Sequence, residues 1–275
     1  MLTQFKRFFS VDNPKAEKAQ EFGYLNAINY MAPHESGGVG NLCSHASPGC
    51  ILLCLGEHSG QAAMSEVVRD SRKRKAQYFM KNRAEFMAEM VFHIEKLIKQ
   101  AEKLKLKLCV RLNGATDIAF EGIRFSDGLN IFEKFPHVQF VDYTKNPNRF
   151  LRKLPANYHL TFSLSETNQK IAQGLLKRGV NVAAVFANGL PENYLGATVL
   201  NGDEHDLRHT DQQGGFIVGL SPKGHRAKKD KSGFVIRNWN GKAGSMICAI
   251  LEDIFELAAL ALFLLAIFVF AIGVN

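Results

Sequence analysis

Residues 160–186 contain two apolar runs, Leu160-Thr-Phe-Ser-Leu164 and Val182-Ala-Ala-Val-Phe186, on either side of the polar segment Glu166–Arg178. Both runs are short and nearly continuous, as expected for strands that are buried on both faces of a sheet. The segment between them has the length of a helix, and Gly179 directly after it suits a helix C-cap. Strand, helix and strand in this order predict a parallel βαβ unit.

The same pattern extends over most of the chain. Other short apolar runs are Tyr24–Met31, Leu108–Leu112, Val138–Val141, Thr198–Leu200 and Phe216–Leu220. Residues 61–105, by contrast, have apolar side chains at spacings near three or four, which predicts helix. We therefore predict an α/β fold, either a partial (β/α) barrel or an open, mostly parallel sheet.

The composition of the 275-residue chain excludes several classes of protein. Hydrophobic residues make up 46%, which excludes disorder, and five cysteines are too few for a disulfide scaffold. Lys and Arg outnumber Asp and Glu by 34 to 26, so the formal net charge is 34 − 26 = +8. Basic residues concentrate in Arg69–Lys75 and Lys223–Lys231. These clusters predict either binding to the phosphates of a nucleic acid, a nucleotide or a membrane, or ordinary solvated faces.

The end of the sequence is apolar. Residues 257–274 carry no charged side chain, and as a helix they would extend about 27 Å, close to the thickness of a bilayer's hydrocarbon core. This predicts a C-terminal transmembrane helix that acts as a tail anchor. The α/β domain of residues 1–240 would face the cytoplasm at the cytoplasmic membrane, with residues 241–256 as a linker. A buried core helix or an oligomerisation helix is the alternative.

The turn-rich loop of residues 41–60 contains Pro48-Gly49 and three cysteines, which fall within a stretch of twelve residues. They are Cys43, Cys50 and Cys54. In a reducing compartment such a cluster is more typical of metal binding than of disulfide bonding. Three thiolates that leave one coordination position open suit a catalytic 4Fe-4S cluster, whereas zinc would take a fourth ligand such as His45 or His58. The other interpretation is that the cysteines are small buried residues.

Polar side chains directly follow several predicted strands. Because the carboxyl ends of parallel strands lie at one edge of a sheet, where ligands bind, we expect these side chains to form a site. The candidates for catalysis are Asp117, Lys145, Glu166, Asp203 and His205. The candidates for substrate binding are Asn113, Tyr143, Ser165, Asn188 and Arg208. Loops after strands are commonly polar, which is the alternative.

Residues 203–211 are the densest of these polar segments, with four carboxylates and two imidazoles in nine residues. His205 with Asp206 or Asp203 could form a general acid/base pair. Two of the carboxylates could instead bind a hard divalent metal. A structural turn in which Asp and Arg side chains brace one another is equally consistent with the sequence.

Several separated motifs resemble a known family. They are Asn41-Leu-Cys43, Ser47-Pro-Gly-Cys50, Val110-Arg-Leu-Asn-Gly114, Asp142-Tyr-Thr-Lys145, Tyr158-His-Leu-Thr-Phe-Ser163 and Gly202-Asp-Glu-His-Asp-Leu-Arg208. In this order, over roughly residues 20–237, they are similar to the phage and prophage family called gene product 88. The resemblance implies a phage or mobile-element origin and supplies no reaction.

The cysteine loop after a first strand also resembles, distantly, that of radical-SAM proteins. That resemblance implies a partial barrel in which Cys43, Cys50 and Cys54 ligate a 4Fe-4S cluster. Here six and three residues separate the cysteines, where radical-SAM loops have three and two. No Gly-rich motif for the methionine group is clear, so S-adenosylmethionine is not assigned as a cofactor.

Three functional hypotheses follow. The first is a membrane-tethered metal enzyme with redox or radical chemistry on a small or nucleotide-like substrate. The second is a non-catalytic protein that binds nucleic acid or a partner and holds a structural zinc. The third is a membrane-tethered, host-modulating protein with a degenerate enzyme scaffold.

Overall fold

The computed structural model describes residues 3–12, 14–58 and 60–239, which form a mixed α/β fold around a mostly parallel sheet. Within these ranges, the helices and strands lie in the first of two compact units, Met1–Ile236. The strands are β1 (Tyr24–Ile28), β2 (Lys107–Arg111), β3 (Gln139–Thr144), β4 (Tyr158–Ser163), β5 (Val182–Phe186), β6 (Asn193–Tyr194), β7 (Ala197–Asn201), β8 (Ile217–Leu220) and β9 (Val235–Ile236).

The helices lie mainly between β1 and β2. They are α1 (Pro14–Glu21), α2 (Pro48–Leu52), α3 (Leu55–His58), α4 (Gly60–Met64), α5 (Glu66–Lys81), α6 (Arg83–Lys103), α7 (Ile131–Lys134), α8 (Gln169–Lys177) and α9 (Gly224–Lys228). Short 3-10 turns occur at Phe120–Gly122, Pro147–Leu151 and Arg208–Thr210. The predicted helical region 61–105 is divided because Ser65 caps α5, its side chain accepting from the Val68 N–H, and Asn82 separates α5 from α6.

The sheet follows the chain for its first five strands, in the order β1-β2-β3-β4-β5-β8-β7-β6. All of these pairs are parallel except β6 with β7. Val185 of β5 pairs with Leu220 of β8 and also with Val235 of β9. Strand β9 therefore lies on the β4 side of β5, beyond the last β4–β5 pair, Ser163 with Ala183. This arrangement separates β4 from β5 at their carboxyl ends.

The two faces of the sheet differ in chemistry. On one face, strand residues such as Leu25, Val110 and Phe140 pack in the main core with Phe86 and Met90 of α6. On the opposite face, Cys109 and Val141 pack against Ala19 of α1 and Leu207. That second face also carries buried polar side chains, Asn26 and Thr161 among them. Burial of apolar area thus packs α6 on the first face, whereas the second face combines a small apolar cluster with buried polar side chains.

The predicted transmembrane helix requires a correction of the fold prediction. Within the residues that the structure describes, no helix is long and apolar enough to cross a membrane. The prediction came from the length and hydropathy of residues 257–274 alone. That segment, and the predicted linker 241–256, lie outside the described residues. The observed fold of the described residues is mixed α/β with a mostly parallel sheet.

Candidate functional site

A cavity of about 230 Å³ lies at the carboxyl ends of β2–β5 and β8, where β4 and β5 separate. We call it the strand-end cavity. Its walls are partly apolar, formed by residues such as Leu53, Val185 and Phe234. Its polar lining includes Cys43, Cys50, Cys54, Arg111, Asn113, Asp117, Tyr143, Lys145, Ser163, Asp206 and Lys223. A cavity with a few convergent polar groups is the usual form of a small-molecule site.

All three loop cysteines line this cavity and are half-buried, whereas Cys109 is fully buried in the core. Burial raises the pKa of Cys43 to about 12 and that of Cys54 to about 11. Backbone N–H groups oppose this effect. The His34 N–H donates to Cys43 Sγ at 3.3 Å, and the N–H groups of Gly56 and Glu57 favour the Cys54 thiolate. Both sulfurs are therefore thiols at neutral pH.

Glu166 holds the cysteine loop in place. Its carboxylate accepts from Ser47 Oγ at 2.9 Å and from the Gly49 N–H at 2.7 Å, at the N-terminus of α2. Ser47 Oγ in turn accepts from the Cys50 N–H. A Cβ at Gly49 would lie 2.8 Å from Glu166 Oε2, so a larger residue there would have to displace the Glu166 carboxylate. Glu166, predicted as catalytic, is thus a positioning residue for the loop and does not line the cavity.

Replacing Glu166 by Gln is expected to destabilise the protein by about 1–2 kcal/mol, since hydrogen bonds to a charged group weaken when the charge is removed. The measurement is urea unfolding at pH 7. Glu192→Gln, an exposed glutamate, is the matched control and should change stability by less than about 0.5 kcal/mol. Equal unfolding midpoints for the two variants would contradict the role given to Glu166.

Asp117 is fixed in the cavity wall by a buried ion-pair network. Its oxygens accept from Thr144 Oγ1 at 2.7 Å, from the Lys145 N–H at 2.8 Å and from Arg149 Nη1 at 3.1 Å. Arg149 also forms a bidentate pair with Glu121, with both contacts at 2.7 Å. Arg149 therefore compensates the charge of Asp117 only in part, because Glu121 shares the same guanidinium, and the Asp117 carboxylate serves to hold the β3 end.

Asn113 is held in the same way by Asp142. The Asp142 carboxylate accepts from the Asn113 N–H at 2.8 Å, from Asn113 Nδ2 at 2.9 Å and from Tyr158 Oη at 3.0 Å. Burial raises the pKa of Asp142 to about 6 despite these donors. Asp142 was noted only as part of the motif Asp142-Tyr-Thr-Lys145, and Arg149 was not predicted from the sequence. A charged residue inside an apolar strand is the signal that could have found Asp142.

Two cations dominate the open part of the cavity. Lys145 Nζ donates to Ser163 Oγ at 2.8 Å. The Arg111 guanidinium lies over the Tyr143 ring, 4.7 Å from its centroid, with Nη1 3.8 Å from Asp206 Oδ2. Burial raises the pKa of Tyr143 to about 12, so its hydroxyl is neutral. Arg111, which was not among the predicted site residues, thus lies in one place with Tyr143, Lys145 and Asp206, which were.

The segment 203–211 covers the polar face of the sheet and contributes little to the cavity. Asp203 pairs with Lys223 at 2.7 Å. The His205 ring contacts Phe22, with centroids 4.7 Å apart. Arg208 is fully buried, donates to the His205 carbonyl and pairs with Asp211 at 3.1 Å. The predicted pair of His205 with Asp206 is therefore not assembled at the cavity. Of the two residues, Asp206 lines the cavity and His205 does not.

Two other predicted substrate-binding residues, Ser165 and Asn188, also lie outside the cavity lining. The Ser165 N–H donates to Asn168 Oδ1 at 2.8 Å in the turn that precedes α8. Asn113, Asp117, Tyr143 and Lys145 are thus the members of the predicted set that the structure brings together with the three cysteines.

Three basic side chains of the cluster Arg69–Lys75 form hydrogen bonds within the fold. Arg69 Nη1 donates to the Ala62 carbonyl at 2.7 Å, and Arg72 Nη1 donates to the Gly56 carbonyl at 2.5 Å. Lys75 is buried and donates to the Phe8 carbonyl, and burial lowers its pKa to about 7. These three side chains are directed at the protein and are not displayed for phosphate binding. Nucleic-acid binding stays a prediction.

Among residues 3–12, 14–58 and 60–239, no group of three His, Cys, Asp or Glu side chains is arranged to hold a single metal ion. The family described as Gene product 88 matches residues 5–238. No curated protein and no solved structure matches the chain significantly. The likeness to radical-SAM proteins gains no support from these comparisons.

Proposed function

The chain belongs to the phage Gene product 88 family over residues 5–238, and we propose that its strand-end cavity is the site of an iron–sulfur enzyme. Cys43, Cys50 and Cys54 would ligate the cluster. The observation that carries this proposal is that all three half-buried thiols line one cavity, while Cys109 lies in the core. Cysteines that served only as small apolar residues would be expected in the core, as Cys109 is.

The donor set suits thiolate ligands. Backbone N–H groups directed at the sulfurs, from His34 to Cys43 and from Gly56 to Cys54, stabilise a thiolate more than a thiol. His34 takes a left-handed backbone conformation, with φ of 49°, although it is not glycine. Its carbonyl also accepts from the Leu42 N–H at 3.0 Å, so His34 binds the loop at two points. Such strained residues concentrate at functional sites.

The chain's own residues supply the rest of the site. A cluster held by three thiolates has one iron without a protein ligand, and when bound it supplies electron transfer or substrate activation at that position. Asn113 and Asp117 are immobilised by their buried partners and shape the cavity wall. Lys145 and Arg111 place positive charge beside it. Apolar residues such as Leu53 and Phe234 limit the access of water.

Zinc is the alternative metal. A zinc site gathers its ligands around one ion, and the described part of the chain contains no such group of three side chains. The ligands of a 4Fe-4S cluster bind different irons, so Cys43, Cys50 and Cys54 would each bind one iron of the proposed cluster. Metal analysis distinguishes the two.

Each of the variants Cys43→Ala, Cys50→Ala and Cys54→Ala is expected to lower the iron and sulfide content of the protein at least about tenfold, since each removes one ligand. The measurement is chemical iron and sulfide analysis of the full chain, purified without oxygen. Cys109→Ala is the matched control, because it removes a core thiol, and it should keep the wild-type content. Full iron content in any of the three loop variants would refute the ligand assignment.

A further inference from the structure

The cations that line the strand-end cavity differ in whether a carboxylate pairs with them. Arg111 lies near Asp206, with Nη1 3.8 Å from Oδ2, and Lys223 pairs with Asp203 at 2.7 Å. The carboxylate of Asp117 is bound by Arg149. Lys145 differs from these cations. Its ammonium group donates to the hydroxyl of Ser163, and no carboxylate of the described chain forms a salt bridge with it.

We infer that Lys145 binds an oxyanion group, a phosphate or a carboxylate, of a small substrate in this cavity. The inference rests on the proposed function, since it takes the strand-end cavity as the substrate site. A half-buried ammonium group loses hydration, and a neutral hydroxyl compensates for that loss only in part. An anion supplied by the substrate would complete the pairing, with two of the three Nζ hydrogens still available.

Three contacts fix the position of the Lys145 backbone and side chain. Its backbone N–H donates to Asp117 Oδ2 at 2.8 Å, which fixes the residue at the end of β3. Its ammonium lies 5.3 Å from the centroid of the Phe234 ring, a cation–π contact that limits its freedom. Ser163 Oγ accepts from Lys145, so the Ser163 hydroxyl hydrogen can donate to the same anion. Lys145 and Ser163 thus present a pair of donors.

The size of the cavity limits the substrate. At about 230 Å³ it is smaller than the roughly 300–1,000 Å³ of pockets for drug-sized ligands. A small metabolite with one anionic group fits this volume better than a segment of polymer. Arg111, another cation of the lining, lies where it could contact the same molecule.

The test is titration of the full-length protein with inorganic phosphate and, separately, with acetate at constant ionic strength. Binding is followed by ³¹P line broadening for phosphate and by calorimetry for both. Lys145→Met is expected to weaken binding at least tenfold, and Lys145→Arg to keep it within about threefold. Lys170→Met, at an exposed lysine of α8 outside the cavity lining, is the matched control and should stay within twofold. The anion that binds more tightly identifies the group.

Several results would overturn the inference: no binding of either anion to the wild type, equal binding to Lys145→Met, or an equal loss in Lys170→Met. The same titrations are made on metal-free Cys43→Ala protein. Lys145-dependent anion binding in a chain without iron would leave this inference standing and refute only the proposed cluster. Iron with no Lys145-dependent binding would refute only this inference.

Discussion

Replacing Arg149 by Met is expected to destabilise the protein by about 3–5 kcal/mol, because it leaves carboxylates that were paired without their counterion in a largely buried site. The Arg149 side chain is 3% exposed, and those of Asp117 and Glu121 are 12% and 20% exposed. Its guanidinium also donates to Tyr158 Oη at 2.7 Å. Urea unfolding at pH 7 measures the loss.

Arg152→Met is the control for this experiment, since Arg152 is exposed and follows the same 3-10 turn. It should change stability by less than about 0.5 kcal/mol. Arg149→Lys keeps the charge and loses the bidentate geometry with Glu121, so it should fall between the wild type and Arg149→Met. A loss below about 1 kcal/mol in Arg149→Met would show that the network does not hold the wall of the cavity.

The second large expected effect is a loss of stability at low pH that depends on His159. Burial, together with the charge of Arg208, lowers the pKa of His159 to about 4, so the folded state favours the neutral imidazole. Stability from this group is present above the unfolded pKa of about 6.5 and is lost as the pH falls toward 4. We expect His159→Gln, which cannot be protonated, to remove about 2 kcal/mol of the stability difference between pH 7 and pH 5.

The measurement is urea unfolding of both proteins at pH 7, 6 and 5. His137→Gln, at an exposed histidine, controls for the loss of an imidazole and should follow the wild type. Asp142 and Asp211 act in the opposite direction, since burial raises the pKa of each to about 6 and favours the protonated form at low pH. The comparison between variants isolates His159 from these carboxyls. Parallel pH profiles for wild type and His159→Gln would contradict the burial of a neutral His159.

Local sequence patterns identify much of what lies near the cavity. Buried parallel strands are nearly continuous apolar runs, and their carboxyl ends must meet at one edge. Asn113 and Asp117 follow β2, and Tyr143 and Lys145 lie at the end of β3, so all four line the cavity. The cysteine loop follows β1 in the same way, so it reaches the same edge.

Interactions between distant segments could not be read from the sequence. Glu166 binds Gly49, 117 positions away, and its charge alone does not distinguish a loop anchor from a catalytic acid. His205 follows β7, yet its segment runs across the polar face of the sheet, where Leu207 packs with Cys109 and Val141. Arg111 is the last residue of β2. The apolar pattern of that strand does not indicate that the Arg111 side chain reaches the cavity.

The most direct test of the central claim is the metal content of the full-length protein purified without oxygen. Iron, acid-labile sulfide and zinc are measured together with the visible absorption spectrum. The proposed cluster predicts a brown protein with about four irons and four sulfides per chain, as a 4Fe-4S cluster requires. A colourless protein that holds one zinc per chain, or no metal after supply of iron and sulfide, would contradict it.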